Sequence, residues 1–97
     1  MVFEWDEAKN RTNQRKHGVS FEDAESVFVD DDAILFDDPD HSEFEERFLI
    51  IGTSYKKGVC IVSHCYREQD EKIRIISARK ATKTERGVYE ERRGWSK

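Results

Sequence analysis

The alternation of apolar and polar residues predicts three consecutive β-strands in the second half of the chain. We expect strands at about 46–55, 59–67 and 72–80. The turn-forming segments Lys56-Lys57-Gly58 and Glu68-Gln69-Asp70-Glu71 separate them. Short connections of this kind join antiparallel neighbours, so the three strands are expected to form a meander.

The polar pattern of residues 7–17 predicts a helix with an unusual surface. Asp6 is suited to cap its N-terminus, and Gly18 is suited to end it in the left-handed conformation. Ala8 is the only aliphatic residue of this segment, so the helix has no apolar stripe with which to pack. We therefore expect it either to dock loosely or to keep its polar face for a ligand.

Two capping boxes predict the remaining helices. Ser20 with Asp23 begins a second helix, and Thr82 with Glu85 begins a last helix that runs to about residue 93. The second helix has an ordinary apolar stripe that belongs in the core, formed by Phe21, Ala24, Val27 and Phe28.

Short apolar segments at 2–5 and 33–36 complete the set of predicted strands. The order of elements is then strand, two helices, antiparallel strands and helix. This order predicts an α+β fold in one domain spanning residues 1–97: an antiparallel sheet with two N-terminal helices and one C-terminal helix, all on one side of the sheet.

Length and composition are those of a small cytoplasmic domain. The chain has 97 residues, of which 36% are hydrophobic, which is lean but above the level of a disordered chain. The longest apolar run, 48–51, is far too short to span a bilayer, and charges stand where a signal peptide would have its apolar core. We expect no membrane association.

The cysteines and histidines indicate neither a disulfide nor a metal site. Cys60 and Cys65 lie five residues apart in one predicted strand, so their side chains face opposite ways and remain free thiols. The histidines lack paired metal-ligand spacing, and the Asp-rich run at 30–40 lacks the glycine of a calcium loop. We expect no metal and no cofactor.

The charges are segregated along the chain. Residues 1–20 carry a net charge of +1, residues 21–45 carry -11 with no Lys or Arg, and residues 46–97 carry +6, which gives -4 in total. A basic sheet with basic helices would hold phosphates, and the acidic stretch would repel them. The alternative is that charges simply cluster on solvated faces without any function.

The last predicted strand carries the strongest candidate chemistry. Strict alternation would put Arg74 and Arg79 on opposite faces, but one bulge near Ile75-Ile76 would bring Arg74, Ser77 and Arg79 to one surface. Converging arginines suit a phosphodiester that gains charge in its transition state. The alternative for each arginine is a surface salt bridge with one of the many carboxylates.

Five short motifs occur in order along almost the whole chain: FEWDEAK at 3–9, KHGVSF at 16–21, ERFLIIG at 46–52, IRIISARKA at 73–81 and Tyr89-Glu90. Together they resemble the BrnT toxins of bacterial type II toxin–antitoxin pairs. The resemblance implies a small fold similar to RelE-type ribonucleases, cleavage of RNA, and arrest of translation and growth. It also implies neutralisation by a BrnA-like antitoxin, and the toxin would meet DNA only through that antitoxin.

Matched position by position, the resemblance also implies a site. For such a site we expect a mechanism that needs no metal, in which a 2′-hydroxyl of the RNA attacks the adjacent phosphate and Glu46 or His17 moves a proton. The residues implied as catalytic are Lys9, His17, Glu46, Arg67, Arg74 and Arg79, and those implied to bind RNA are Trp5, Lys16, Arg47 and Ser77.

Two other functions remain open from the residues alone. In the first, the arginine face docks nucleic acid or an acidic partner without breaking a bond. In the second, the acidic segment 30–45 is the interaction surface and the basic strand only balances it. For the toxin, we expect an antitoxin to present acidic and apolar residues to 3–17 and 73–92, and we expect Trp5 to be partly buried, with packing as its main role.

Overall fold

The computed structural model of the chain describes residues 1–40 and 45–95. Most predicted elements are confirmed, with small shifts at their ends, and the α+β class is confirmed. Within the described residues the elements are β1 Val2–Glu4, α1 Glu7–His17, α2 Phe21–Glu25, a 3₁₀ turn Ser26–Val29, β2 Ile34–Asp37, β3 Phe48–Ser54, β4 Gly58–Arg67, β5 Lys72–Lys80 and α3 Lys83–Trp95.

The five described strands form one mixed sheet in the order β1-β5-β4-β3-β2. The strands β2 to β5 pair antiparallel, as the meander predicts, but β1 pairs parallel to β5, with Phe3 opposite Ile73. The prediction of an antiparallel sheet is therefore wrong for β1. No hairpin joins β1 to β5, so no local turn determines their relative direction.

Helices cover both faces of the sheet, so the prediction that they share one side is wrong. The alternating residues of β4 separate two apolar clusters: Cys60 and Val62 pack with α2, whereas Ile61 packs with Tyr89 of α3. The sequence shows the apolar residues of α2 and α3 but not which face of the sheet each helix covers, because successive residues of a strand point to opposite faces.

The helix α1 docks through amide side chains rather than through an apolar stripe. Asn10 accepts from the Phe21 N–H at 2.8 Å. The amide of Asn13 donates to the Ala78 carbonyl at 2.7 Å and accepts from the Ala78 N–H at 3.1 Å, and it also donates to the Val19 carbonyl at 2.9 Å. Both asparagines are buried. Of the two alternatives for this helix, loose docking is therefore wrong, and the polar face kept for a ligand stays a prediction.

Asp30, a carboxylate of the acidic stretch, connects three elements of the fold by hydrogen bonds. Asp30 accepts from the Thr53 N–H at 2.7 Å and from the Tyr89 hydroxyl at 2.5 Å, which ties the 3₁₀ turn to β3 and α3. Burial alone would raise the pKa of Asp30, but these two hydrogen bonds, a third from the Asp32 N–H and the nearby charge of Arg93 together lower it. Glycine at 52 permits this close packing, because a Cβ there would lie 3.1 Å from Asp30 Oδ2.

No helix in the described ranges has both the length and the apolar character needed to cross a lipid bilayer.

Candidate active site

The predicted bulge is present in β5. Ser63 pairs with Ser77 and His64 pairs with Ile75, so Ile76 is an extra residue on β5. The register then aligns three β5 residues with alternate residues of β4 on the face that α3 packs against. These pairs are Arg74 with Cys65, Ser77 with Ser63, and Arg79 with Ile61.

A groove of about 410 Å³ lies between α1 and the bulge. Lys9 and Lys16 are seven residues apart on α1, so they lie on one side of the helix. His17 is at the C-terminal end of that helix, and Ser77 stands across the groove on β5. The structure thus brings together four predicted site residues from distant parts of the sequence.

The groove has a cationic wall. Lys9 and Lys16 have no ion-pair partner among the residues that the structure describes, and both are exposed. Asp6 also lines the groove, where its side chain caps α1 by accepting from the Lys9 N–H at 3.1 Å. The two ammonium groups are therefore free to meet an anionic ligand.

The arginines on β5 already have carboxylate partners. Arg74 donates to Glu4 at 2.8 Å, and Arg79 makes two hydrogen bonds of 2.8 and 2.9 Å to Glu85. The Arg79 guanidinium is the main cause that lowers the pKa of Glu85 to about 2. Glu85 also completes the predicted capping box with Thr82. A phosphate at these arginines would therefore compete with a carboxylate.

The other predicted site residues lie elsewhere. Arg67, at the end of β4, pairs with Glu45 at 3.1 Å, and Arg47, in the segment before β3, pairs with the same carboxylate at 3.6 Å. Glu46 and Arg67 line a different cavity of about 840 Å³, which shares no residue with the groove. Glu46 and His17 therefore do not line the same cavity.

Trp5 is partly buried beside α1, as predicted. Its ring meets that of Phe21 edge-on, with centroids 6.0 Å apart, and its indole N–H donates to Glu7 at 3.0 Å. The indole packs against the core cluster that contains Phe21. This environment agrees with a packing role.

The buried thiols and imidazole are poor candidates for a nucleophile or a base. Cys60 and Cys65 are free, as expected, and burial raises the pKa of both thiols. His64 is fully buried, and burial lowers the pKa of its imidazole. No group of three or more His, Cys, Asp or Glu side chains in the described part of the chain could hold a metal ion.

The sequence analysis did not identify the residue that fixes the two sides of the groove, α1 and β5, against each other. Asn13 fixes α1 against β5 through both backbone groups of Ala78, and it lines the groove itself. A signal was available: Asn10 and Asn13 are three residues apart in a helix without an apolar stripe, and buried amides at that spacing can replace apolar docking.

Comparison with known proteins decides the family. The family model described as "Ribonuclease toxin, BrnT, of type II toxin-antitoxin system" matches residues 5–85. The chain belongs to the BrnT family. The crystal structure of the Brucella abortus ribonuclease toxin BrnT is similar to it, with 28% sequence identity, a TM-score of 0.65, and coverage of 86% of this chain and 100% of that chain. No curated protein matches the chain.

Membership in the BrnT family confirms the suspected resemblance. The chain is a ribonuclease toxin of a type II toxin–antitoxin system, and the family implies an antitoxin as its partner. The α+β fold with its five-stranded mixed sheet matches that of the Brucella toxin.

Proposed function

We propose that this BrnT toxin binds RNA in the α1–β5 groove and cleaves it internally without a metal ion. The observation that carries the proposal is the bulge at Ile76. It leaves Ser77 across the groove from Lys9 and Lys16, and on the same face of β5 as Arg74 and Arg79, which do not themselves line the groove. Two lysines beside a hydroxyl, with further cations on the same strand as that hydroxyl, suit a phosphodiester.

The chemistry uses the RNA's own nucleophile. The 2′-hydroxyl loses its proton and its oxygen bonds to the adjacent phosphorus, while the bond from phosphorus to the 5′-oxygen breaks and that oxygen gains a proton. The products are a 2′,3′-cyclic phosphate and a 5′-hydroxyl end. Lys9, Lys16 and the β5 arginines would stabilise the charge that develops on the phosphate.

His17 is the preferred group for proton transfer. It lines the groove beside Lys16, whereas Glu46 lines the separate cavity that contains Arg67. A base must reach the proton that it abstracts, directly or through one water. Position therefore favours His17, because Glu46, Arg47 and Arg67 do not line the groove.

The wider role follows from this activity. Cleavage of RNA in the cytoplasm would arrest translation and growth, in a fold related to the RelE-type ribonucleases. A BrnA-like antitoxin would silence the toxin by covering 3–17 and 73–92 with acidic and apolar residues, and the pair would reach DNA only through the antitoxin.

The test compares two double variants on the two sides of α1. Purified wild type, Lys9→Ala/Lys16→Ala and Arg11→Ala/Arg15→Ala are incubated with RNA in excess EDTA. We expect the lysine variant to lose at least about tenfold in cleavage rate, since each lost phosphate contact weakens transition-state binding. The arginines line a separate depression that shares no residue with the groove, so their loss should change the rate less than about twofold.

The nature of the products and the effect of EDTA decide the mechanism. End-group analysis should find 2′,3′-cyclic phosphate and 5′-hydroxyl termini. Loss of cleavage in EDTA would contradict metal independence. Equal losses of cleavage rate in both double variants would contradict RNA binding in the α1–β5 groove.

A second candidate is a binding module that breaks no bond. The carboxylate partners of Arg74 and Arg79 favour it, because paired arginines make a weaker transition-state clamp. Retention of intact RNA by the wild type, reduced only in the lysine variant, would support this candidate over the ribonuclease.

A further inference from the structure

A second cleft lies at the end of the sheet where β3 begins and β4 ends. Two adjoining depressions of about 840 and 610 Å³ share Leu35, Tyr66 and Asp70, and neither shares a residue with the α1–β5 groove. We propose that this cleft binds a segment of the antitoxin in which one or two apolar side chains are flanked by Lys or Arg. The proposal rests on the antitoxin that the family implies and not on the proposed RNA chemistry.

The floor of the cleft is apolar and partly exposed. Leu35 on the edge strand β2 is 52% exposed, and Val2 on β1 is 53% exposed. Between them, aromatic rings form a packed surface, with the centroids of Phe48 and Tyr66 5.3 Å apart. Exposed apolar surface grouped in one depression, in a chain that is 39% charged, is typical of a protein contact.

The rim of the cleft is acidic. Five carboxylates and one arginine line the two depressions. Glu45 and Glu68 have cationic partners, but Glu46, Asp70 and Glu71 have no ion-pair partner within the described ranges. Covering free carboxylates is costly unless the partner supplies cations, so the occupant must be basic around an apolar centre.

The turn that carries this rim has a constrained backbone. Glu68, Gln69 and Asp70 have φ values of 53°, 58° and 71°, which is the left-handed region that L-residues avoid. Strain of this kind collects at ligand-binding segments and is retained where the position of a side chain matters. Here it holds Asp70 at the junction of the two depressions.

Charge also favours a segment of the antitoxin over other possible occupants of the cleft. RNA would be repelled by the rim. A second copy of this chain, seated by two-fold symmetry, would bring the two acidic rims against each other. A basic and apolar segment of the antitoxin meets neither penalty, and it leaves the α1–β5 groove to be covered by another part of the same partner.

The test measures antitoxin binding to variants matched in charge. Surface plasmon resonance compares the wild type, Asp70→Asn/Glu71→Gln, Leu35→Ala and the control Asp31→Asn/Asp40→Asn, with the cognate antitoxin as the probe. The control removes two exposed carboxylates of the acidic stretch that do not line the cleft. Thermal midpoints verify that each variant is folded.

We expect the rim variant to slow association about tenfold at low salt, with a smaller difference at high salt because salt screens the attraction. We expect Leu35→Ala to speed dissociation about tenfold, since it removes an apolar anchor. The control should bind like the wild type.

Two binding results would overturn the proposal: the rim variant and Leu35→Ala bind the antitoxin like the wild type, or the control loses as much affinity as they do. Two other results would also overturn it: the rim variant cleaves RNA more slowly than the wild type, or the wild type is a dimer that Leu35→Ala dissociates. RNA cleavage is assayed without antitoxin, so a chain that binds antitoxin at the cleft but cleaves no RNA would contradict only the proposed function.

Discussion

His64 is a fully enclosed titratable side chain of the sheet. It has no exposed surface, its ring meets that of Phe28 edge-on at 4.8 Å, and Tyr66 lies within hydrogen-bond distance of its Nε2 at 3.3 Å. Burial disfavours the imidazolium and lowers the pKa, although the bond to the Val62 carbonyl opposes this in part. The folded state therefore holds His64 neutral.

The enclosure of His64 predicts a loss of stability in mild acid. In the unfolded chain the imidazole takes up a proton below about pH 6.5, whereas in the folded chain it does so only at lower pH. The free energy of unfolding should thus fall as the pH drops below about 6.5, by up to about 1.4 kcal/mol per pH unit from this group. Urea titrations over this range measure the slope.

The matched variant for this prediction is His64→Phe, which keeps a ring in the aromatic cluster and removes the titration. Its free energy of unfolding should depend less steeply on pH between about 6.5 and 5 than that of the wild type. Parallel slopes for the two proteins would show that His64 does not couple folding to pH.

At the scale of the element, α1 owes its position to two amides. Its surface is polar on most sides, yet Asn13 satisfies both backbone groups of Ala78 on a part of β5 that β1 does not cover. The side chain thereby takes the place of a neighbouring strand. The same contact sets the distance between α1 and the bulge, and hence the width of the groove.

Replacing Asn13 with Ala should cost about 2 to 4 kcal/mol of stability. The change leaves the buried N–H and C=O of Ala78 without partners, and an unsatisfied buried group costs more than a lost hydrogen bond returns. Gln14→Ala, at an exposed position of the same helix, should change the free energy of unfolding by less than about 0.5 kcal/mol. Chemical denaturation measures both, and similar values for the two variants would contradict the docking role of Asn13.

At the scale of the whole molecule, the charges form separate surfaces that do not follow their segregation along the sequence, because only Glu45 among the five carboxylates of the cleft lies in the acidic segment 21–45. The lysines of α1 line a groove with Ser77, while carboxylates of the other segments rim a cleft that shares no residue with that groove. A small protein with such separated potentials can attract an anionic polymer and a basic protein segment at different places. The total charge of -4 conceals this arrangement.

Arg79 is expected to contribute to the toxicity of the protein more than to its stability. Expression of Arg79→Ala should no longer arrest growth, because it removes a cation from the β5 face beside Ser77. Its thermal midpoint should fall by only a few degrees, since a partly exposed ion pair contributes at most about 1 kcal/mol. Growth curves and thermal melts of the two proteins make the comparison.

Arg86→Ala is the control for Arg79→Ala, because it also removes an ion-paired arginine but stands on α3 and not on the β5 face that carries Ser77. It should still arrest growth. An Arg79→Ala chain that arrests growth would exclude Arg79 from the mechanism, and one that does not fold would show that its bond to Glu85 is structural.

The sequence by itself determined the local elements of this protein. Asp6 caps the start of α1 and Gly18 caps its end, while Ser20 and Thr82 cap the starts of α2 and α3. The odd spacing of Arg74 and Arg79 indicated the bulge in β5. Each of these signals acts between residues only a few positions apart, so the sequence contains both partners of the interaction. The motifs of the BrnT family could likewise be recognised in the sequence, because each is a short continuous segment.

Only the tertiary structure decided the direction of β1, the face covered by α3, and which candidate side chains share a cavity. These depend on contacts between residues far apart in the sequence, such as Asn13 with Ala78. Several arrangements satisfy the same local pattern, because a strand offers two faces and a sheet offers two edges. Long-range packing selected one, and it placed His17 in the groove with Lys9 and Lys16 while it left Glu46 in the other cleft.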